Sequence, residues 1–489
     1  MKISSMKNTT LTIALFSLAI LIFSCEPKEK EWARPNILWI NADDLGPELA
    51  CYGNPDVSTP NIDAIAKEGI LYSRAYSNTP ICSPSRSSLI TGMYPPSVNA
   101  HDHRTLDMTD LPEGIVPVTK YFQEAGYFVS LGNAEKMSKL GKEDYNFLYE
   151  DLYDGTDWTG RKEGQPFFAQ VHIHYPHRTF KHHKNAINPY SVSFPEEYPD
   201  HPLLRADWAH YLESVQHCDD WVGTIMKRLE EEGLVENTIV FFFGDHGRPH
   251  LRDKQFLYEG GLKIPLIVRW PAKYKQKVDD QLVSLVDVTA TSLALAGINL
   301  PDYLHGKPFL GEKAEKQKYI FGFRDRAGDA DDNIRSITDG EYKLIWNRMS
   351  EQPYMQLSSY KKAQYPAFTL YNVLHKQGKL EAPFNQFMAQ SRPEIELYNL
   401  EDDPNEYNNL AKDESLSKKR DELFGILKEN MPAFEKNLIP EKPETLKKAQ
   451  DGSYNFYKKI MNDRGLNPDL TDEEFLKWWE AQLLTSSNH

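Results

Sequence analysis

Residues 36–44 read Asn-Ile-Leu-Trp-Ile-Asn-Ala-Asp-Asp, an unbroken apolar run from Ile37 to Ile40 that leads into two adjacent carboxylates, Asp43 and Asp44. An apolar run of this length without alternation predicts a strand buried on both faces, and such strands belong to parallel sheets covered by helices. The pattern recurs at Phe167–Ile173, Thr238–Phe243 and Pro265–Trp270, with helical periodicity between the runs at Asn61–Gly69, Val118–Ala125 and Trp208–Glu232. Strands alternating with helices predict an α/β fold with a mainly parallel central sheet flanked by helices. Ligands of such sheets bind beyond the carboxyl ends of the strands, which is where Asp43 and Asp44 stand. After about residue 330 the signals change. Arg335–Thr338 and Tyr342–Trp346 flank Asp339-Gly340 and predict an antiparallel hairpin. From Ser415 the chain is polar and helical in period, with Trp478 and Trp479 late in it. The expected organisation is a large domain over 34–330 and a smaller C-terminal α+β subdomain with an antiparallel sheet over 331–489.

With 489 residues, 40% of them hydrophobic and 26% charged, the chain has the makings of a sizeable core. Its formal net charge of −15 argues against a nucleic-acid partner, which needs a basic face to neutralise phosphates. The same charge repels any polyanion at long range, so such a substrate requires a local basic pocket, the general field being screened beyond about 8 Å. At the N-terminus Lys2 and Lys7 precede an apolar run, Leu11–Phe23, that ends at Ser24-Cys25. This predicts a signal peptide over 1–24 and not a membrane span. Leu21–Cys25 also resembles a bacterial lipobox, which makes Cys25 the lipid-bearing residue, followed by a charged tether over 25–33. The expected location is the periplasm, or the outer membrane as a lipoprotein, surface display included. Membrane contact would run only through the lipid. Of the four cysteines, Cys25, Cys51, Cys82 and Cys218, lipidation of Cys25 leaves an odd three; no disulfide framework is implied, and an unpaired cysteine in an exported chain asks for an explanation.

Five segments place polar residues at a strand end or a helix start. Asp43-Asp44 crowds two like charges, which costs free energy unless a cation or hydrogen bonds compensate. Asp245-His246, between Gly244 and Gly247, follows an apolar strand; with Asp43 and Asp44 it can converge on a hard divalent cation, whose oxygen ligands lie at about 2–2.6 Å. In Cys82-Ser83-Pro84-Ser85-Arg86, Pro84 suits a first helical turn and Gly92 a helix end. Cys82 then sits at a helix N-terminus, where the dipole and free N–H groups favour an anion, and Arg86 projects toward the same point. The fourth segment is His172-Ile173-His174-Tyr175-Pro176-His177, in which His172 reads as a structural residue facing the sheet. The fifth is Lys254 in D-K-Q-F-L-Y-E-G-G. Each alone has an ordinary reading as a turn, a cap or a solvated charge, and their coincidence carries the inference.

Cys-x-Pro-x-Arg followed by Leu-x-Thr-Gly, here C-S-P-S-R and L-I-T-G, resembles the signature of the sulfatase family. N-A-D-D-L-G, S-T-P-N-I-D-A-I-A-K-E-G, G-D-H-G and E-L-Y-N-L-E-D-D-P-N-E are similar to further landmarks of that family, so the likeness spans residues 35 to 412. It implies an alkaline phosphatase-like fold and a sulfuric ester hydrolase. It implies that Cys82 becomes formylglycine (3-oxoalanine), made by a formylglycine-generating or anaerobic sulfatase-maturing enzyme. It implies Ca2+ held by Asp43, Asp44, residue 82, Asp245 and His246, with Arg86 and Lys254 steadying charge and His174 protonating the departing sugar oxygen. A family lysine has two candidates here, Lys142 after Gly141 and Lys136 at the expected distance; the histidine usual beside it is missing. His101, His103, Arg104, His177 and Arg252 are the expected substrate contacts, with Arg248 and His182-His183 completing a basic patch. The closest likeness is to N-sulfoglucosamine and iduronate sulfatases and bacterial polysaccharide sulfatases. It implies a sulfated oligosaccharide substrate, from a glycosaminoglycan or an algal polysaccharide; the acidic body, which disfavours gripping a long polyanion, predicts exo action on short chains. The competing readings are a phosphonate or phosphate monoester hydrolase on the same architecture, or a non-catalytic carbohydrate-binding lipoprotein.

Overall fold

The computed structural model describes residues 34–484; the expected signal peptide, Cys25 and the whole tether over 25–33 lie outside the described residues. In chain order the strands are β1 (Asn36–Ala42), β2 (Gly69–Tyr76), β3 (Thr109–Asp110), β4 (Phe128–Asn133), β5 (Phe147–Leu148), β6 (Phe167–Ile173), β7 (Thr238–Gly244), β8 (Lys263–Arg269), β9 (Lys277–Ser284), β10 (Ile320–Arg324), β11 (Ile334–Thr338), β12 (Tyr342–Asn347) and β13 (Ile395–Asn399). The helices are α1 (Pro60–Lys67), α2 (Cys82–Thr91), α3 (Val118–Glu124), α4 (Pro202–Glu231), α5 (Glu259–Leu262), α6 (Leu285–Leu295), α7 (Ser359–Gln364), α8 (Pro366–Lys376), α9 (Ser417–Phe434), α10 (Pro443–Asp463) and α11 (Asp472–Leu483).

The central sheet has seven strands in the order β4-β6-β1-β7-β8-β2-β9. β4, β6, β1 and β7 run parallel; β8 is antiparallel to both of its neighbours, and β2 pairs β9 in parallel. Every residue of β1, β6 and β7 is buried, the result expected of runs without alternation. Alternate side chains serve opposite faces: Leu38 and Ile40 pack with α1 and α4, Ile37 and Trp39 with α2, α3 and α6. Trp39 Nε1 donates to Ser292 Oγ on α6 at 2.9 Å, which satisfies a buried indole. α4 begins six residues before the expected Trp208. Pro202 suits its first position, the His201 side chain caps it, and Leu203 and Leu204 are already buried.

The second sheet, β10-β11-β12-β13, is antiparallel throughout. Its hairpin turns at Asp339-Gly340, where Gly340 takes a positive φ of 93° that favours glycine. α9 covers this sheet through Leu423, Leu427 and Met431. Its first strand, β10, lies before the boundary expected at 331, and residue 34 onward forms one compact unit.

Candidate active site

Three parallel strands end level, with Ala42 beside both Gly244 and Ile173, so the residues that follow them converge on one edge. Asp43 N donates to Ile173 O and Asp245 N to Ala42 O, both at 3.0 Å, and Asp44 N donates to Asp245 Oδ1 at 3.0 Å. Asp44 adopts φ 60°, a left-handed turn that brings its carboxylate back beside that of Asp43. α2 meets this edge with its N-terminus, held by Ser85 Oγ donating to Asp245 O. All ten residues of α2 are buried, and Gly92 ends it at φ 65°. Cys82 Sγ thereby lies 3.3 Å from His246 Nε2, 3.5 Å from Lys254 Nζ and 3.7 Å from Asp44 Oδ1.

Asp43, Asp44 and Asp245 bring three buried carboxylates within 4.8 Å of one another. Three cationic side chains surround them. Arg86 reaches Asp43 Oδ1 and Asp245 Oδ2 at 3.1 Å each, Lys142 Nζ reaches both oxygens of Asp43 at 3.0 and 2.9 Å, and Lys254 Nζ both oxygens of Asp44 at 2.7 and 2.8 Å. Burial pushes the Asp43 and Asp44 carboxyls up, but these cations outweigh it and hold both well below the usual carboxylate range. Asp245 is shifted upward, burial being its largest cause. Burial pushes His246 down, yet Asp245 and Asp44 raise it to about 10, and its Nε2 lies 3.1 Å from Asp44 Oδ1. Ligation by His246 requires a neutral ring, and a cation among the carboxylates favours loss of the proton. Oδ2 of Asp245 has no aligned hydrogen bond among the described residues. An all-oxygen trio with a spare acceptor suits a hard divalent cation and not a soft one.

Between the two candidate lysines the structure brings in Lys142, while Lys136 is exposed. Gly141 explains the difference. It donates to Leu131 O at 3.1 Å, and a side chain on it would meet Gly132 O at 2.5 Å, so glycine alone lets this loop lie along β4 and aim Lys142 at Asp43. His174 is 48% exposed at the rim, with Nδ1 4.0 Å from Asp43 Oδ2. His177 Nε2 lies 3.9 Å from Asp44 Oδ2, and burial lowers its pKa to about 4. His172, read as a sheet residue, is buried with Nε2 3.6 Å from Asp43 Oδ2. Arg104 N donates to Ser83 Oγ at 3.0 Å, which seats the His101–Arg104 loop against the first turn of α2, and its guanidinium pairs with Asp144 at 2.8 and 2.9 Å. His103 is half-buried in that loop; His101 is buried and turned to Asp102 at 3.5 Å.

Three expectations for a basic patch are corrected. Arg252 is sandwiched between the Tyr258 and Tyr407 rings at 3.9 and 4.2 Å and donates to the carbonyls of Asn405 and Glu406, so it joins the two sheets instead of touching substrate. Arg248 is committed to Glu48, Glu197 and Asp253. His182 faces Glu213 and His183 faces Asp220, both at 3.1 Å. His183 Nδ1 accepts from Asn185 N, so its Nε2 carries the proton that Asp220 takes, and the pair is a hydrogen bond, not a ligand set. Sequence reasoning also missed Tyr360 on α7, whose ring centroid lies 5.5 Å from Lys254 Nζ and 6.3 Å from the His177 ring. No motif marks that segment.

Residues 35–298 match the sulfatase family, and residues 244–361 match the C-terminal region of N-sulphoglucosamine sulphohydrolase. An ulvan-active sulfatase of Formosa agariphila is 30% identical over 481 residues, covering 86% of this chain and 78% of that protein. A protein solved in complex with its substrate D-glucosamine-2-N,6-O-disulfate superposes with a TM-score of 0.59 at 20% identity, covering 83% of this chain and 99% of the other. The phosphonate monoester hydrolase of Agrobacterium radiobacter superposes equally well, with a TM-score of 0.60 at 18% identity over 83% of this chain and 96% of its own. The fold is thus shared by two chemistries, whereas the sequence matches run to sulfatases, and the chain belongs to the sulfatase family.

Proposed function

We propose that this sulfatase removes sulfate from a sulfated oligosaccharide, using formylglycine made from Cys82 and a calcium ion held by Asp43, Asp44, Asp245 and residue 82, with His246 joining once deprotonated. The observation that carries the reading is a cysteine buried at a helix N-terminus, with Lys254, His246 and Asp44 all within 3.7 Å of its Sγ. A packing cysteine needs no such surroundings. When present, a hydrated aldehyde at residue 82 would supply the attacking oxygen and a second hydroxyl for releasing sulfate, and calcium would take up charge at the sulfate oxygens. Arg86, Lys142 and Lys254 bind the remaining oxygens, and their charges oppose the repulsion expected from a net charge of −15. The N-terminus of α2 adds donors aimed the same way. His174, half-exposed at the rim, gives its proton to the departing sugar oxygen.

The carbohydrate class is supported by the ulvan-active relative and by the glucosamine disulfate bound to the fold neighbour. Because a net charge of −15 disfavours gripping a long polyanion, the enzyme acts on chain ends of short oligosaccharides. Maturation requires a formylglycine-generating or anaerobic sulfatase-maturing enzyme. The composition of residues 1–25 supports export with a lipid on Cys25, so Cys25→Ala should move the protein from the membrane fraction to the soluble one. The deciding experiment is sulfate release from ulvan oligosaccharides and sulfated glucosamines, compared with hydrolysis of a phosphonate monoester. Sulfate release lost in Cys82→Ala and on chelation supports the reading; preference for the phosphonate ester rejects it.

A further inference from the structure

Two aromatic side chains of the C-terminal region are placed as if something were missing against them. Tyr360 stands beside Lys254 and His177, inside the site, and its ring packs edge-on against that of Tyr365 with centroids 5.7 Å apart. Its backbone is fixed as well: the neighbouring Ser359 N and Oγ both donate to Asp329. Yet the Tyr360 hydroxyl is buried with no hydrogen-bond partner among the described residues. A buried hydroxyl left unpaired is costly, and a polar group of a bound ligand would satisfy it.

Phe456 lies next outward. Its ring is roughly parallel to that of Tyr360, with centroids 6.5 Å apart and planes at 24°. α10 packs its other face, through Tyr457 and Met461, into a core with Phe475 and Trp479, whereas Phe456 remains 45% exposed and Tyr454 42%. A single exposed phenylalanine is ordinary. One that continues an aromatic wall from the nucleophile's own pocket is not accounted for by packing.

The geometry points to Tyr360 and Phe456 as the wall of the saccharide pocket: Tyr360 hydrogen-bonds the sugar that bears the scissile sulfate, and Phe456 stacks on the apolar face of the next sugar along the chain. The assignment rests on the carbohydrate reading above and adds to it a preference for at least two sugar units. It also gives α7 and α10, absent from the catalytic sheet, a share in specificity.

The test is steady-state kinetics of the mature enzyme and two variants on a sulfated monosaccharide and the matching disaccharide. Tyr360→Phe, which deletes only the hydroxyl, should lower kcat/KM on both roughly 3- to 10-fold. Phe456→Ala should raise KM for the disaccharide roughly 3- to 10-fold while changing the monosaccharide KM by less than about twofold. Unfolding midpoints near that of the wild type would confirm that binding, not folding, is lost. Unchanged KM values in Phe456→Ala, or equal losses on both substrates with a lowered midpoint, would overturn the proposal while leaving the carbohydrate reading intact. A wild-type enzyme that cleaves an aryl sulfate but no sulfated saccharide would overturn both.

Discussion

Lys142 and Lys136 offer a sharp comparison, because the sequence puts both in play and the structure separates them. Lys142 Nζ contacts both oxygens of buried Asp43 and is only 19% exposed, while Lys136 is exposed on the loop after β4. Removing one partner of a buried pair generally costs about 3–5 kcal/mol. Asp43 keeps Arg86 at 3.1 Å, so Lys142→Ala should cost less, about 2–3 kcal/mol, in chelator. Lys136→Ala should stay within about 0.5 kcal/mol of wild type. Denaturant unfolding, with chelator and then with added calcium, reads both values. Calcium should narrow the gap between Lys142→Ala and wild type, since a cation among the carboxylates takes over part of the neutralisation. On a sulfate ester, kcat/KM should fall on the order of 100-fold in Lys142→Ala and stay unchanged in Lys136→Ala. Equal stabilities for the two variants, or a loss of activity in Lys136→Ala alone, would refute this assignment.

His305 gives a pH dependence outside the acidic trio. Its Nδ1 accepts from Tyr94 N at 3.0 Å, and burial, with Lys436 nearby, lowers its pKa to about 4. A histidine depressed in the fold binds its proton first in the unfolded chain, so stability is kept above about pH 6.5 and lost as pH falls from there toward 4, by up to about 3 kcal/mol. Unfolding of His305→Asn, which keeps an acceptor, should show a shallower acid limb than wild type; identical slopes would reject the assignment. If His174 protonates the leaving oxygen, His174→Ala should slow sulfate release from a sugar on the order of 100-fold, and from an aryl sulfate, whose phenolate leaves unaided, far less. Comparable losses on the two substrates would assign His174 another task. Arg252→Gln should lower stability by about 2–4 kcal/mol, through lost hydrogen bonds and ring contacts, with KM unchanged in the folded protein; a raised KM would return Arg252 to the substrate pocket.

The central strands and the acidic edge were legible because local composition decides them. Runs such as 36–42 and 238–244 can be buried only between helices, and carboxylates at their ends have one edge to face. Cys82 and Arg86 were legible for a similar reason, Pro84 and Gly92 marking both ends of α2. What escaped depends on partners distant in sequence. Arg252 reads as a free cation until residues 405–407 fold over it, and Arg248 until Glu48 and Glu197 reach it. Tyr360 lies between Ser358-Ser359 and Lys361-Lys362, in a stretch that matches no catalytic motif, and only the packing of α7 places it beside Lys254. β10 escaped because the nine-residue loop 325–333 that joins it to β11 is too long to mark a tight hairpin.

Peptide mass spectrometry of residue 82 in protein coexpressed with a maturing enzyme, read against sulfate release from the same sample, bears on the chemistry with fewest intermediaries. The expected result is a tryptic peptide in which Cys82 has exchanged its sulfur for an aldehyde oxygen, with activity proportional to the converted fraction and none in the unconverted one. Full activity in protein whose residue 82 is an intact thiol would contradict it.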